Sequence, residues 1–229
     1  MHNVLGILYS MENEKNGFTK LDHFPNNTPP VVSAELGELR ALNFTEFSVL
    51  HSSEMKSAAY SVQKMNQNTL QDAKKVPREG RFYEEARLPS SERAKLSDYQ
   101  NSGFDRGHLS PAATMSTPEG MAQSFSLANV APQAPELNRA LWKKVEHAVK
   151  HQAARSQDDV FVFTGPMYLD EEPQYAGGVR VPSHFFKAVV CPSTGYGAGW
   201  VMTNDGNNRM EAPIPLEEIS NIAGIDFLP

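Results

Sequence analysis

The residues best suited to chemistry lie together at Asp105-Arg106-Gly107-His108. A histidine with an ordinary pKa of about 6.5 is largely neutral at physiological pH and can accept a proton. The arginine can offset phosphate charge, and the glycine can adopt backbone angles closed to other residues and so present His108 to a cleft. The aspartate could orient the imidazole, orient the arginine or hydrogen-bond within the turn. The tetrad suggests attack on a phosphodiester, but a loop histidine beside a structural Asp–Arg pair explains it equally well on its own.

A second set of polar residues recurs every four positions along a helix predicted over residues 136–154: Asn138, Trp142, Glu146 and Lys150. At about 100° per residue these positions form a slowly drifting stripe on one helix face. An amide oxygen and a carboxylate on one stripe can hold a hard cation such as Mg²⁺. The alternative is a solvated stripe in which Glu146 pairs with a neighbouring lysine. Trp142 is interpreted as a packing residue.

Charge limits how this chain could meet nucleic acid. Its 229 residues carry a net charge of −6 with a pI of about 5.7. A protein that binds nucleic acid through a broad basic face is normally basic. Any such contact here therefore needs a local cationic patch within an acidic surface.

The elements that position these residues are predicted from hydrophobic patterning and from Pro and Gly breaks. Strands are expected at Phe44–Leu50 with Ala58–Gln63 as its hairpin partner, at Phe125–Val130, at Val160–Thr164 ended by Gly165-Pro166, at Val179–Val190 and at Tyr196–Met202, and a last helix begins at Pro215. With 40% hydrophobic residues, 15 Gly and 16 Pro, the pattern predicts one α+β domain over residues 31–229. Residues 1–30 are expected to form an N-terminal arm or extended segment.

Compartment signals are few. Cys191 is the sole cysteine, so an internal disulfide is excluded. The apolar stretch Val4–Tyr9 has no preceding Lys or Arg and is too short for a signal-peptide core. No stretch approaches the roughly 18 apolar residues of a transmembrane helix. These features predict no membrane association and fit a reducing compartment.

Three motifs in order resemble the DNA/RNA non-specific endonuclease family: Phe104–Ala112, Phe125–Gln133, and Glu136–Trp142 followed by Glu146. Segments 162–166 and 181–188 also look like later strands of this family, and the match covers at least residues 78–204. These are sugar-non-specific nucleases of the ββα-metal group, which includes secreted bacterial nucleases and mitochondrial endonuclease G. The resemblance implies a central, mainly antiparallel sheet flanked by helices and containing a ββα-metal motif.

The resemblance also implies an activity and a metal. It implies Mg²⁺-dependent hydrolysis of DNA and RNA, single- or double-stranded, to products with 5′ phosphates, with Mn²⁺ as a possible substitute. His108 looks like the general base that deprotonates the attacking water. Asn138 looks like the one direct protein ligand of Mg²⁺, and Glu146 resembles the residue that holds the ion through water. Asn129 is interpreted as a loop-bracing residue.

Further residues take roles from the same resemblance. Asp105 and Arg106 belong to the catalytic motif. Arg78 lies where the family places a phosphate-binding arginine, with Arg81 as its near rival. Lys150 replaces an arginine expected in several members, which keeps the charge but loses the bidentate fork. It is grouped with Arg78 and Arg81 as a substrate-binding candidate.

Other interpretations stay open. His147 and His151 are spaced i, i+4 on the predicted helix, so a zinc hydrolase is one alternative. A catalytically silent relative that binds nucleic acid is another. Exported members of the family imply a secreted or periplasmic location, with the cytoplasm as the alternative. A homodimer is also open.

Overall fold

A computed structural model describes residues 17–207 and 209–229. The strands, in chain order, are β1 (Val31–Val32), β2 (Leu39–Asn43), β3 (Phe47–Ser52), β4 (Ser57–Met65), β5 (Asp105–His108), β6 (Val130–Gln133), β7 (Val160–Met167), β8 (Gln174–Ala176), β9 (Val179–Val181), β10 (His184–Cys191), β11 (Tyr196–Thr203), β12 (Ile214–Pro215) and β13 (Ile225–Asp226). The α-helices are α1 (Gln67–Ala73), α2 (Pro118–Ser124), α3 (Trp142–Arg155) and α4 (Leu216–Ala223). A π-helical turn, Leu137–Leu141, leads into α3.

In the described part of the chain, seven strands form the main sheet, in the order β12-β11-β10-β7-β4-β3-β2. Every neighbouring pair in it is antiparallel. The predicted hairpin is confirmed as β3 and β4, which pair directly along the sheet. The α+β class with a large antiparallel sheet is therefore confirmed.

The main sheet is buried on both faces. Every residue of β7 is buried. Its consecutive residues Val162 and Phe163 belong to separate apolar clusters on opposite faces of the sheet. The buried apolar side chains of α3 belong to the first cluster, and Ile219 of α4 belongs to the second. This two-sided burial explains why β7 reads as a continuous apolar run instead of an alternating one.

A smaller antiparallel pair carries the histidine tetrad. Strand β5 pairs with β6, so that His108 lies opposite Val130 and Asp105 opposite Gln133. The π-helical turn and α3 follow β6 in the chain. The predicted helix over 136–154 is confirmed, and Trp142 is confirmed as a packing residue with 1% of its surface exposed.

The predicted strand at Phe125–Val130 is wrong. Residues Leu127–Asn129 form a 3₁₀ turn, and the strand begins only at Val130. The Ser126 hydroxyl accepts from the Ala128 backbone N–H at 3.3 Å, a local side-chain bond that competes with strand pairing. Pro132 lies inside β6, whose two-stranded sheet gives proline an unpaired edge.

Two other strand boundaries differ from prediction. Strand β7 runs through Gly165-Pro166 to Met167, because β10 continues to pair along it. The segment predicted as one strand over Val179–Val190 is two strands, β9 and β10, separated by Pro182-Ser183. Pro182 has no backbone N–H with which to extend a ladder.

The described part of the N-terminal segment packs on the second face of the sheet. Phe24 is buried, and its ring centroid lies 4.7 Å from that of Phe18. The division of the chain at residue 30 stays a prediction, and Val4–Tyr9 lies outside the described residues. None of the helices in the described part of the chain is long and apolar enough to cross a bilayer. Cys191 is buried as a free thiol.

Candidate active site

A cleft of about 590 Å³ opens where β5 meets the start of the long helix. It brings together six of the residues selected from the sequence: Arg78, Asp105, Arg106, His108, Asn138 and Glu146. Arg81 and Lys150, by contrast, are not among the described residues that line it. The tetrad and the helix stripe, about thirty residues apart in the chain, thus share one surface.

His108 is held in an aromatic setting. Its ring centroid lies 5.2 Å from those of Phe82 and Phe125, and the Phe125 ring meets it edge to face. Its Nε2 atom is buried with no hydrogen-bond partner among the described residues. Burial, with a smaller contribution from the positive charge of Arg78, lowers the pKa of His108 to about 4. The imidazole is therefore neutral at pH 7 and able to accept a proton.

Gly107 is needed for space instead of for unusual backbone angles, which corrects the expectation. It lies in strand β5, and its φ angle is not positive. A Cβ atom at this position would clash with the Gln133 side chain on the paired strand. The close approach of β5 and β6 beside His108 therefore depends on glycine.

Asp105 connects the tetrad to the helix. Its Oδ2 accepts hydrogen bonds of 2.8 Å from both Asn138 Nδ2 and Arg139 Nε, and its Oδ1 accepts one of 2.5 Å from Arg139 Nη2. The hydrogen bonds from Arg139 are the main reason that the pKa of Asp105 lies below its ordinary value. None of the three uses expected for Asp105 describes these partners. Because the Asn138 amide nitrogen is hydrogen-bonded to Asp105, the amide oxygen is the atom left to coordinate a cation.

Asn138 lies within the π-helical turn, and its backbone N–H donates to Ala134 O at 2.9 Å. Single π turns inside helices occur often at functional sites, since they shift side chains relative to a regular helix. Such a turn cannot be inferred from the four-residue spacing of the stripe. It sets where Asn138 stands relative to Glu146 on α3.

Glu146 is a partly enclosed carboxylate on the cleft wall. Burial raises its pKa above the ordinary value, and the positive charges of Lys187, Arg78 and Lys143 oppose this rise. The strongest of these opposing cations, Lys187, lies on β10 and was not among the residues selected from the sequence.

Cations dominate the cleft lining. The Arg106 guanidinium lies 5.2 Å from the Phe82 ring centroid and 5.7 Å from that of Tyr99, within range for cation–π attraction. Arg78, Arg139 and Lys143 also line the cleft, so among the described residues four cationic side chains face two carboxylates there. In a chain of net charge −6, this is the local cationic patch that nucleic-acid contact would need.

The other two candidate substrate contacts stand elsewhere. Lys150 Nζ donates to Ala113 O at 3.0 Å, which ties α3 to the loop after β5. Arg81, three residues after Arg78 in the chain, is exposed and is not among the described residues that line the cleft. Neither placement by itself assigns a role in binding substrate.

The i, i+4 histidine pair lies on the solvent side of α3. The rings of His147 and His151 are nearly parallel with centroids 6.3 Å apart, and both residues are exposed. Within residues 17–207 and 209–229, no group of three or more His, Cys, Asp or Glu side chains is arranged to hold a metal ion.

Several residues of the site escaped the sequence-based selection. Arg139 and Lys143 carried a usable signal, because they neighbour Asn138 and Glu146 on the same predicted helix. The others come from distant segments that gave no spacing pattern: Phe82, Tyr99 and Lys187.

Comparison with known proteins defines the class. The family model described as DNA/RNA non-specific endonuclease matches residues 27–229. The chain belongs to this family, as the resemblance indicated.

Individual relatives agree with this membership. Human mitochondrial endonuclease G is 35% identical over 171 residues, covering 66% of this chain and 57% of that protein. Nuclease C1 of Cunninghamella echinulata var. echinulata is 34% identical, covering 59% and 58%. Mitochondrial nuclease 1 of Schizosaccharomyces pombe is 30% identical, covering 74% and 60%. The chain thus spans less than two thirds of the length of these relatives.

The fold is also shared with a solved structure. The crystal structure of the EndoG/EndoGI complex contains a chain that superposes with a TM-score of 0.73, covering 85% of this chain and 87% of that one. At 22% identity this likeness establishes the fold. It agrees with the antiparallel sheet and flanking helices described above.

Proposed function

We propose that this protein is a Mg²⁺-dependent endonuclease that hydrolyses phosphodiester bonds of DNA and RNA and leaves 5′ phosphates. The observation that carries the proposal is that His108, Asn138 and Glu146 line one cleft together with the cation of Arg78. A neutral base, oxygen donors for a hard metal and a phosphate-binding cation are the parts that such hydrolysis requires.

The residues present fit a hydrated magnesium ion. Mg²⁺ prefers oxygen ligands, keeps several waters and is bound by few protein groups. Asn138 offers an amide oxygen because Asp105 holds the amide nitrogen, and Glu146 offers a carboxylate on the same cleft wall. Asn138 would hold the ion directly, and Glu146 would hold it through water. When bound, the ion would supply positive charge to the phosphate and to the departing 3′ oxygen.

His108 is the proposed general base. A water molecule attacks phosphorus opposite the 3′ oxygen and gives a proton to the imidazole as the new P–O bond forms. The P–O3′ bond breaks, the 3′ oxygen takes a proton from solvent, and the phosphate stays on the 5′ side. The lowered pKa keeps His108 unprotonated and ready at neutral pH.

Cations of the cleft are the proposed phosphate contacts. Arg78 and Arg106 would offset the negative charge that grows on phosphorus as water attacks. Contacts of this kind reach the sugar-phosphate backbone and carry no base information, so weak discrimination of sequence is expected. Arg139 and Lys143, which line the same cleft, extend the positive surface.

A plasmid-nicking assay tests the activity. Purified protein is incubated with supercoiled DNA, linear DNA and RNA, with Mg²⁺, with Mn²⁺ and with EDTA. Cleavage of all three substrates is expected with Mg²⁺, and EDTA should abolish it. Products should accept a 5′ label only after phosphatase treatment.

Matched variants connect the activity to the cleft. His108→Ala and Asn138→Ala are expected to remove nearly all cleavage, with the folded state intact by circular dichroism. His151→Ala and Asn68→Ala replace the same residue types at exposed positions outside the cleft and should cleave normally. Binding of DNA without cleavage under any metal would support a silent relative instead. Rescue of EDTA-treated protein by Zn²⁺ but not by Mg²⁺ would support a zinc hydrolase.

A further inference from the structure

Lys187 is a buried lysine beneath the candidate active site. It lies in the middle of β10, and 1% of its surface is exposed. Lysine is almost never fully buried without a partner, because removing an ammonium group from water costs roughly several kcal/mol unless other groups compensate. An apolar residue would fill this place at lower cost, so the lysine needs a reason.

A polar row crosses the sheet at this position. Phe185 and Val189, which alternate with Lys187, belong to the apolar cluster beneath α3, so Lys187 points to the same side. Lys187 lies opposite Thr164 on β7, and Thr164 lies opposite Ser61 on β4. Three neighbouring strands thus contribute polar residues to one line within an otherwise apolar face.

The polar row holds the chain that follows His108. Lys187 Nζ donates to Thr164 Oγ1 at 2.5 Å and to Leu109 O at 3.4 Å. Ser61 Oγ and Ser110 Oγ are 2.7 Å apart and hydrogen-bonded. Leu109 and Ser110 directly follow His108, so the row contacts the backbone and side chain next to the proposed base.

Lys187 also faces the helix that carries the oxygen donors. Its Nζ lies 5.2 Å from the centroid of the Trp142 ring, within cation–π range. Trp142 stands one turn after Asn138 and one turn before Glu146. Of the cations that oppose the rise in the pKa of Glu146, Lys187 has the largest effect. Burial lowers the pKa of Lys187 to about 8, and the negative charge of Glu146 acts to raise it.

We propose that Lys187 is a positioning residue of the active site, whose buried ammonium group fixes the segment after His108 against the sheet and supplies the counter-charge behind Glu146. It does not touch substrate; it acts through Leu109, Thr164 and the helix. The proposal rests on the proposed function, since it concerns how that site is held in its active form.

Three substitutions separate charge, hydrogen bonding and volume. Lys187→Met keeps the volume and removes both the charge and the hydrogen bonds. Lys187→Gln keeps a donor without charge, and Lys187→Arg keeps the charge. Lys144→Met is the matched control, because Lys144 is exposed on α3 and is not among the residues lining the cleft.

The test compares urea unfolding, Mg²⁺ binding by calorimetry without nucleic acid, and kcat and KM on DNA. Because the buried ammonium group is costly, Lys187→Met should unfold at the same urea concentration as the wild type or at a higher one. Its Mg²⁺ affinity and kcat should each fall by about 10-fold or more, with KM for DNA within about twofold. Lys187→Arg should recover more of both losses than Lys187→Gln does.

Wild-type kcat and Mg²⁺ affinity in Lys187→Met would overturn the proposal. If the Met variant does not fold, the Gln and Arg variants are compared in the same way, and equal activity in these two would overturn it. If none of the three folds, Lys187 is required for folding and the positioning proposal fails. A wild-type protein that does not cleave with Mg²⁺ would sink the proposed function itself, which is a separate outcome.

Discussion

Asp105 and Asn138 lie 33 positions apart in the chain and are joined by a 2.8 Å hydrogen bond from the amide nitrogen to the carboxylate. This bond connects β5, which carries His108, to the π-helical turn that leads into α3, the helix that carries Glu146. It also fixes the orientation of the Asn138 amide, so that the amide oxygen and not the nitrogen is available to a metal. We infer that Asp105 orients Asn138, the proposed metal ligand.

Loss of Asp105 should weaken Mg²⁺ binding. Asp105→Ala removes the acceptor that orients Asn138, so the affinity for Mg²⁺ is expected to fall by about 10-fold or more. Arg139→Ala keeps the Asp105–Asn138 hydrogen bond and removes a nearby positive charge, so it should bind Mg²⁺ at least as tightly as the wild type. Calorimetry without nucleic acid measures both. Equal Mg²⁺ affinity in the two variants would contradict the orienting role.

Activity should persist well below pH 6.5. A histidine base works only when neutral, so kcat/KM falls as the pH drops through its pKa in the free enzyme. For His108 that pKa is about 4, because burial disfavours the charged imidazolium. Initial rates from pH 4 to 8 should therefore decline only near the acid end of the range. This replaces the decline near 6.5 that an exposed histidine would show.

Phe82 provides a second arm of the pH experiment. Phe82→Ala opens one face of the His108 ring to solvent, so the pKa should rise and the acid limb of kcat/KM should move to higher pH. Phe18→Ala is a matched control, because Phe18 packs against Phe24 on the other side of the sheet. An acid limb that stays in place in Phe82→Ala would show that burial does not set the pKa of the base.

Substitution of Arg78 and of Arg81 should lower kcat/KM to clearly different extents. Arg78 lines the cleft and its charge reaches both His108 and Glu146, whereas Arg81 does not line the cleft. Arg78→Ala is expected to lower kcat/KM by about 10²-fold, the scale of losing one preorganised charge at a transition state. Arg81→Ala should stay within about threefold, as expected for an exposed charge at ordinary salt. The reverse order of the two losses would assign the phosphate contact to Arg81.

Lys150 should matter for loop anchoring more than for substrate. Its hydrogen bond to Ala113 O ties α3 to the cleft-side loop, so Lys150→Met is expected to lower the free energy of unfolding by about 0.5 kcal/mol. KM for DNA should change little, and its dependence on salt should match that of the wild type. A shallower salt dependence in Lys150→Met would mean that Lys150 does contact phosphate.

Local patterns in the sequence predict most of the charged residues that line the candidate cleft. The Asp105–His108 tetrad and the stripe of Asn138 and Glu146 depend on neighbours in the chain or on the period of one helix, and both were recognised. The resemblance to the family rests on the same local motifs, and the family model matches residues 27–229. The α+β class followed from apolar runs separated by Pro and Gly, whereas the antiparallel sheet was implied by the family resemblance.

Failures came where side chains override backbone propensity. Residues Leu127–Asn129, inside the predicted strand Phe125–Val130, form a turn, and the Asn129 side chain there bonds to both the N–H and the C=O of Ser110. This confirms Asn129 as a loop-bracing residue. Gly107 was expected to supply unusual backbone angles, yet it is required by the approach of Gln133 from a paired strand.

Tertiary structure alone decided the surroundings of the site. Lys187 stands between apolar residues in a strand, where alternation would place a lysine in solvent, but β10 is buried on both faces. The Phe82 and Phe125 rings around His108 and the pairing of Asp105 with Asn138 join segments far apart in the chain. The reason is that residue types and helical period are local properties, whereas burial, and with it the pKa of His108 and the counter-charge of Glu146, depends on which distant segments pack together.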